Sequence, residues 1–152
     1  MAVLITEEST REVVAKLPYN VAAEEEPGES PRLVLSVPAG EALVDKDGSC
    51  QVSGIFEYVS FERLPATDSF AIATVYFSGD DEVHAHSVRI LDPAGKVIAS
   101  PAAQRLPFPS AAMTVVTDSF PNLRFPSAGS YAVVVSLDGS TLARYPLAVR
   151  KE

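Results

Sequence analysis

Two runs of alternating side chains meet at Asp138-Gly139. In the first, Tyr131, Val133, Val135 and Leu137 alternate with smaller residues. The second runs from Ser140 to Val149. An Asp-Gly pair supplies the positive φ angles of a tight hairpin turn, so the register of both strands is set where they meet. A strand this rich in valine is expected near the centre of a sheet rather than on a surface. The upstream segment Ser127-Ala128-Gly129-Ser130-Tyr131 adds the pattern of a tyrosine corner, in which a tyrosine hydroxyl bonds back to nearby backbone.

The same chemistry recurs along the chain. Leu33 to Val37 read as a strand, followed by a break at Pro38-Ala39-Gly40 and a turn at Asp45-Lys46-Asp47-Gly48. A second strand spans Gln51 to Tyr58, with a bend expected at Gly54. Phe70 to Phe77 is apolar on both faces, as an interior strand should be. Val83 to Leu91 follow, and Asp92-Pro93-Ala94-Gly95 then gives a β-turn ahead of a short strand at Lys96 to Ala99. Ser100 to Ser110 carry three prolines and read as an irregular crossover, because proline donates nothing to a sheet ladder. Met113 to Asp118 form a further strand. The sum is about eight closely spaced strands with hardly any helical periodicity. That predicts an all-β, antiparallel β-sandwich of immunoglobulin-like or fibronectin-like architecture.

Organisation follows from composition. A chain of 152 residues suits one domain with its own core. Ala22 to Pro31, AAEEEPGESP, holds almost nothing to bury and reads as a linker. It divides an acidic N-terminal arm, residues 1–31, from a sandwich domain, residues 32–152. Within the arm, Ser9-Thr10-Arg11-Glu12 has the form of a helix capping box, and the same stretch is alternatively an edge hairpin with Val3 to Ile5. The arm holds seven acids and two bases, so −5 of the chain's net −8. An acidic balance of this size disfavours nucleic acid and anionic membrane as partners.

With one cysteine, Cys50, no intrachain disulfide forms, and the thiol is expected to be buried and inert. The first ten residues have too short an apolar run for a signal peptide, and no run approaches the ~20 apolar residues of a spanning helix. The expectation is a soluble cytoplasmic protein.

From about Leu33 to Val149 the chain resembles an uncharacterised bacterial family of small β-sandwich proteins, a domain of unknown function. The resemblance is carried by DKDGSCQVSGIFEYVSFERLP (Asp45 to Pro65), VRILDPAGKVI (Val88 to Ile98) and FPSAGSYAVVVSLDGSTLARYPLAV (Phe125 to Val149). It implies a sandwich fold and no assigned activity. Turn and strand chemistry of this kind speaks to fold rather than function.

One constellation bears on chemistry. In Asp80-Asp81-Glu82-Val83-His84-Ala85-His86 the two histidines are two residues apart on a strand, so both imidazoles share a face behind three carboxylates. His84 and His86, with Asp81, are the metal-ligand candidates. The competing reading continues the face of Val88 and Ile90 and puts both rings at the rim of the core. No third histidine exists to complete a site. Nucleophile elbows, phosphate-binding loops, zinc-protease and dinucleotide motifs are all missing, so no catalytic residue and no cofactor are expected. Phe108 and Phe120, both beside prolines, are expected to present an apolar patch on a loop. These readings point to a non-enzymatic module that meets a protein partner or a second copy of itself. A metal-binding protein or metal-dependent enzyme using His84 and His86 is the alternative.

Overall fold

The computed structural model describes residues 30–152. The arm expected over residues 1–31, with its helix or edge hairpin, lies outside the described residues except for Ser30 and Pro31. Ten strands follow: β1 (Arg32–Val44), β2 (Cys50–Ile55), β3 (Tyr58–Phe61), β4 (Ala66–Phe77), β5 (Val83–Leu91), β6 (Val97–Ala99), β7 (Gln104–Pro107), β8 (Met113–Phe125), β9 (Gly129–Leu137) and β10 (Ser140–Lys151). They form two sheets that do not close into a barrel. One is ordered β2-β1-β4-β8; the other is β3-β10-β9-β5-β6, with β7 also paired to β5. The protein is a β-sandwich. No helix among the described residues is long and apolar enough to cross a membrane.

The two strands beyond the expected eight have physical causes. The run read as one strand from Gln51 to Tyr58 is two, because the chain changes sheets at Phe56-Glu57, just after Gly54 at φ 72°. The second addition is β7, inside the proline-rich crossover, where Val83 pairs with Pro107 at a sheet edge. An edge strand tolerates a proline because one of its sides needs no donor. Similarly, β1 does not break at Pro38. It runs on to Val44 and exchanges its neighbour, leaving β4 after Ala39 and continuing against β2. All pairs are antiparallel except β3 with β10, which is parallel over Tyr58–Phe61 and Ala148–Lys151.

β9 lies at the centre of its sheet, between β10 and β5, and every residue from Tyr131 to Leu137 is buried. Asp138 (φ 52°) and Gly139 (φ 83°) take the paired positive angles of the tight turn, and Ser140 faces Leu137 directly. The Tyr131 hydroxyl donates to the Ser127 carbonyl at 2.8 Å and so ties the corner before β9. Between the sheets, Phe70 stacks on Phe120 at 5.3 Å, and Phe125 meets Tyr131 edge-on at 5.3 Å. Ile72, Val88, Ile90, Val133, Val135 and Leu147 complete this main core. Burying such a side chain stabilises by roughly 1.5–3 kcal/mol each.

A second cluster of Tyr76, Phe108, Val116 and Leu137 fills the end near the Asp138-Gly139 turn. Phe108 and Phe120 are therefore core residues, not a loop patch. Phe108 is buried because the loop carrying it folds back onto Tyr76, with ring centroids 5.2 Å apart. Cys50, expected to be buried, is only partly so, since it lies on the edge strand β2.

Candidate functional site

The alternation of β5 aims His84, His86, Val88 and Ile90 at the other sheet, so both imidazoles do share a face. They reach different surroundings. His86 is fully buried. Its Nδ1 lies 2.7 Å from the Tyr76 hydroxyl on β4, and its Nε2 lies 2.7 Å from Asp118 Oδ2 on β8. The other oxygen of Asp118 accepts from the Gln104 amide on β7 at 3.1 Å, and the same amide donates to the Thr117 carbonyl at 3.0 Å. With Tyr76 donating to Nδ1 and Nε2–H donating to the carboxylate, every polar hydrogen along this chain finds an acceptor. The network crosses from one sheet to the other where a sandwich is normally apolar. Burial, reinforced by the Asp118 charge, pushes the Tyr76 hydroxyl far above its ordinary value.

His84 sits one register step nearer the turn. Its Nδ1 is 2.5 Å from Asp138 Oδ2 and its Nε2 is 2.8 Å from Asp80 Oδ1. The second Asp138 oxygen accepts the Ala85 backbone N–H at 2.8 Å. Donating hydrogen bonds to Asp138 and then to Asp80 raises the His84 imidazole above its usual value, and both carboxylates are lowered, chiefly by bonding to His84. Phe108 closes one side of the ring edge-on at 5.4 Å. Asp81 turns away from the histidines: it accepts from the Ser110 N–H and hydroxyl, each at 3.0 Å, and so fastens one loop to another. Gly79 allows that approach, because a Cβ there would collide with the Phe108 carbonyl.

His84, His86 and Asp81 thus serve three separate contacts and do not converge. Among the described residues, no group of three or more His, Cys, Asp or Glu is arranged to hold a metal ion. Sequence reading missed Asp118 and Tyr76. Phase gave a signal for both, since Asp118 alternates with Val116 and Phe120, and Tyr76 alternates with Thr74 and Ile72. A carboxylate in the buried phase of a strand requires an internal partner.

The opposite flank of the sandwich is open. β1 pairs with β4 along Arg32 to Ala39 but meets β2 only from Ala39 onward. β10 pairs with β9 from Ser140 but meets β3 only from Ala148. Two stretches of strand edge, the first half of β1 and the first two thirds of β10, therefore have no ladder partner on this side among the described residues. Between them lies a cleft of about 660 Å³ lined by Ser36, Pro38, Ile55, Phe56, Tyr58 and Tyr145, among others. Ile55 and Tyr58 stand exposed at its rim, and Arg150 lies 3.9 Å over the Tyr58 ring. Inside, the Tyr145 hydroxyl meets Ser36 Oγ at 3.0 Å, and Ser36 Oγ lies 3.3 Å from Thr74 Oγ1.

This open-flanked sandwich is matched over residues 35–150 by a family of unknown function (DUF6941). The chain belongs to that family. No curated protein matches it. Among solved structures, a β-glucosidase from Listeria innocua in complex with gluconolactone is similar at 11% identity and TM-score 0.48, over 95% of this chain and 20% of that one. The DNA glycosylase AlkC of Pseudomonas fluorescens, bound to DNA with an abasic-site analog, is similar at 10% identity and TM-score 0.44, over 62% of this chain and 27% of that one. A CARDB domain from Pyrococcus furiosus, in complex with di-metal ions, is similar at 9% identity and TM-score 0.40, over 77% of this chain and 94% of that one. The family member thus spans about a quarter or less of the glucosidase and glycosylase chains.

Proposed function

We propose that this family member is a non-enzymatic interaction module that accepts an extended segment, from a protein partner or a second copy, by strand addition at its open flank. The observation that carries the reading is the pair of unpaired strand edges, on β1 and β10, facing each other across one cleft. Unpaired backbone supplies affinity in strand addition, while pockets for alternate side chains supply selectivity. Here the aromatic and aliphatic walls, Ile55, Phe56, Tyr58 and Tyr145, provide such pockets. The projecting pair β1–β2 points the same way. No residue of β2 is buried, and Leu43, Val44 and Ile55 are exposed, although a two-stranded ribbon is only marginally stable by itself in water. For the metal-dependent alternative, no group of three or more His, Cys, Asp or Glu is arranged around His84 and His86 among the described residues.

The test is the full chain carrying Ile55→Asp and Tyr58→Asp, two exposed positions whose replacement leaves the core untouched. Native mass by light scattering, together with partners cross-linked in the native host, is compared with wild type. Loss of at least tenfold of the associated material at an unchanged unfolding temperature supports the reading. Identical association in both proteins overturns it.

A further inference from the structure

Phe70 to Phe77 is apolar on both faces, yet the sandwich covers only one of them. Phe70, Ile72 and Tyr76 point into the core, so Ala71, Ala73, Val75 and Phe77 lie on the outer face of the four-stranded sheet. The ladders extend that face sideways. Leu35 and Val115 flank Val75 in one cross-strand row, and Met113 stands beside Phe77 in the row at the end. Leu35 is 45% and Met113 61% exposed; Val75, Phe77 and Val115 are partly exposed. None of the five belongs to a core cluster. No acid or base stands at an outward position of β4 from Ser69 to Phe77, or of β8 from Met113 to Ser119. An antiparallel sheet with one face in water normally carries polar side chains there, so an apolar outer face marks a contact surface.

We infer that this face is the contact between two copies of the chain, related by a two-fold axis that runs across the strands over the row Val37, Ala73 and Thr117. The relief of the face selects a second copy as the occupant. Its bulky side chains, Phe77, Met113, Val75, Val115 and Leu35, crowd one end. At the other end the residues are small, and a hollow of about 240 Å³ lies over Ser69, Ala71 and Ser119, walled by Glu41 and Pro121. Val37, Ala73 and Thr117 are in register midway between the two ends. Rotation about that row reverses each strand over its own copy. Phe77 and Ser69 are each four residues from Ala73, and Met113 and Pro121 are each four from Thr117, so the bulky end of one copy enters the hollow of the other, twice. A cavity of ~150 Å³ holds a benzene ring, so this hollow takes the Phe77 ring with room to spare. The same rotation carries Arg32, in register with Phe77, to the end that holds Glu41, so the charges at the rim are of opposite sign. The area is also of the right order. Three strands of 12 or 13 residues make a face about 40 Å by 14 Å in plan, and side-chain relief adds to that, toward the ~800 Å² per partner of a stable interface.

The test uses the full chain at about 0.1 mM, roughly a hundredfold above a micromolar dissociation constant. Wild type should show twice the chain mass in light scattering. A protein carrying Met113→Lys and Val115→Lys, both outside the core, should show a single chain mass with an unchanged circular dichroism spectrum. The Ile55→Asp and Tyr58→Asp protein should keep the doubled mass, because the cleft lies between the sheets and this face lies outside them; either proposal can therefore fail without the other. A cross-link fixes the geometry. In a Cys50→Ser background, Met113→Cys and Pro121→Cys proteins are treated separately and as an equal mixture with a bis-maleimide spanning about 10 Å, the spacing of packed sheets. The mixture should cross-link at least fivefold more than either protein alone, because eight residues of strand, about 27 Å, separate position 113 from its own symmetry mate. A single chain mass for wild type overturns the proposal and leaves the face to a different molecule. It is equally overturned by a doubled mass that survives Met113→Lys and Val115→Lys, or by equal cross-linking in the mixed and separate proteins.

Discussion

His84 and His86 stand two residues apart on one face of one strand, yet the fold uses them in opposite ways. His86 is sealed between the sheets with its two nitrogens on Tyr76 and Asp118, and no solvent reaches the pair. His84 is held between two carboxylates at the surface end of the same face, where Asp80 and Asp138 come from loops and remain wet. The bonds are of similar length in both places. What differs is what replaces them when they are broken. Water re-solvates Asp80 and Asp138 at once, whereas Asp118 without His86 is a charge in an apolar layer. Equal geometry therefore implies unequal energetics, and depth decides which histidine holds the sandwich together.

The comparison is broken most directly at His86. His86→Ala leaves the Asp118 carboxylate buried with only the Gln104 amide as a side-chain partner, and a buried charged acceptor that loses its donor costs about 3 kcal/mol or more. Urea unfolding should show that loss, and a change below about 1 kcal/mol would mean that the layer relaxes to admit water. Tyr76→Phe is milder, since it keeps the ring packing against Phe108 and removes only the hydroxyl at Nδ1. A buried nitrogen left unpartnered costs about 1–3 kcal/mol. The same urea titration, read against His86→Ala, ranks the two links of the network.

Much of the fold was legible because turns announce themselves. Asp138-Gly139, Asp92 to Gly95, and Tyr131 with Ser127 are local chemistry, and local chemistry is written in adjacent residues. Several of the departures share one cause, which is that proline reads locally as an interruption. Pro38 lies inside β1 and Pro107 ends β7, each where the ladder needs no donor from it. Beside those prolines, Phe108 looked exposed, and only long-range folding puts it on Tyr76. The histidine pair was visible, and so was its common face. Its partners were not, because Asp118 is 32 residues from His86 and Asp138 is 54 from His84, distances that only the strand order closes. The open flank was invisible for the same reason: an unpaired edge is a property of which strands are neighbours.

The smallest expected effect sharpens the comparison furthest, because it separates the histidines by pH. His84 is raised above the ordinary imidazole value of 6.5, and Asp80 and Asp138 are lowered below 3.8. A raised base contributes stability that is fully present below the unfolded value and fades as pH climbs through the folded one. Lowered acids contribute stability that is present above their unfolded value and fades as pH falls through the folded one. The cluster is therefore at full strength between about pH 4 and 6.5, declining beyond each end. His84→Gln should be destabilised in that interval by a small amount typical of exposed pairs, and should approach wild type as the pH is raised past the folded imidazole value. Urea midpoints of both proteins at pH 5.5 and pH 9 measure this. A wild-type advantage that is the same at both pH values would show that His84 acts by packing against Phe108 rather than by its charge.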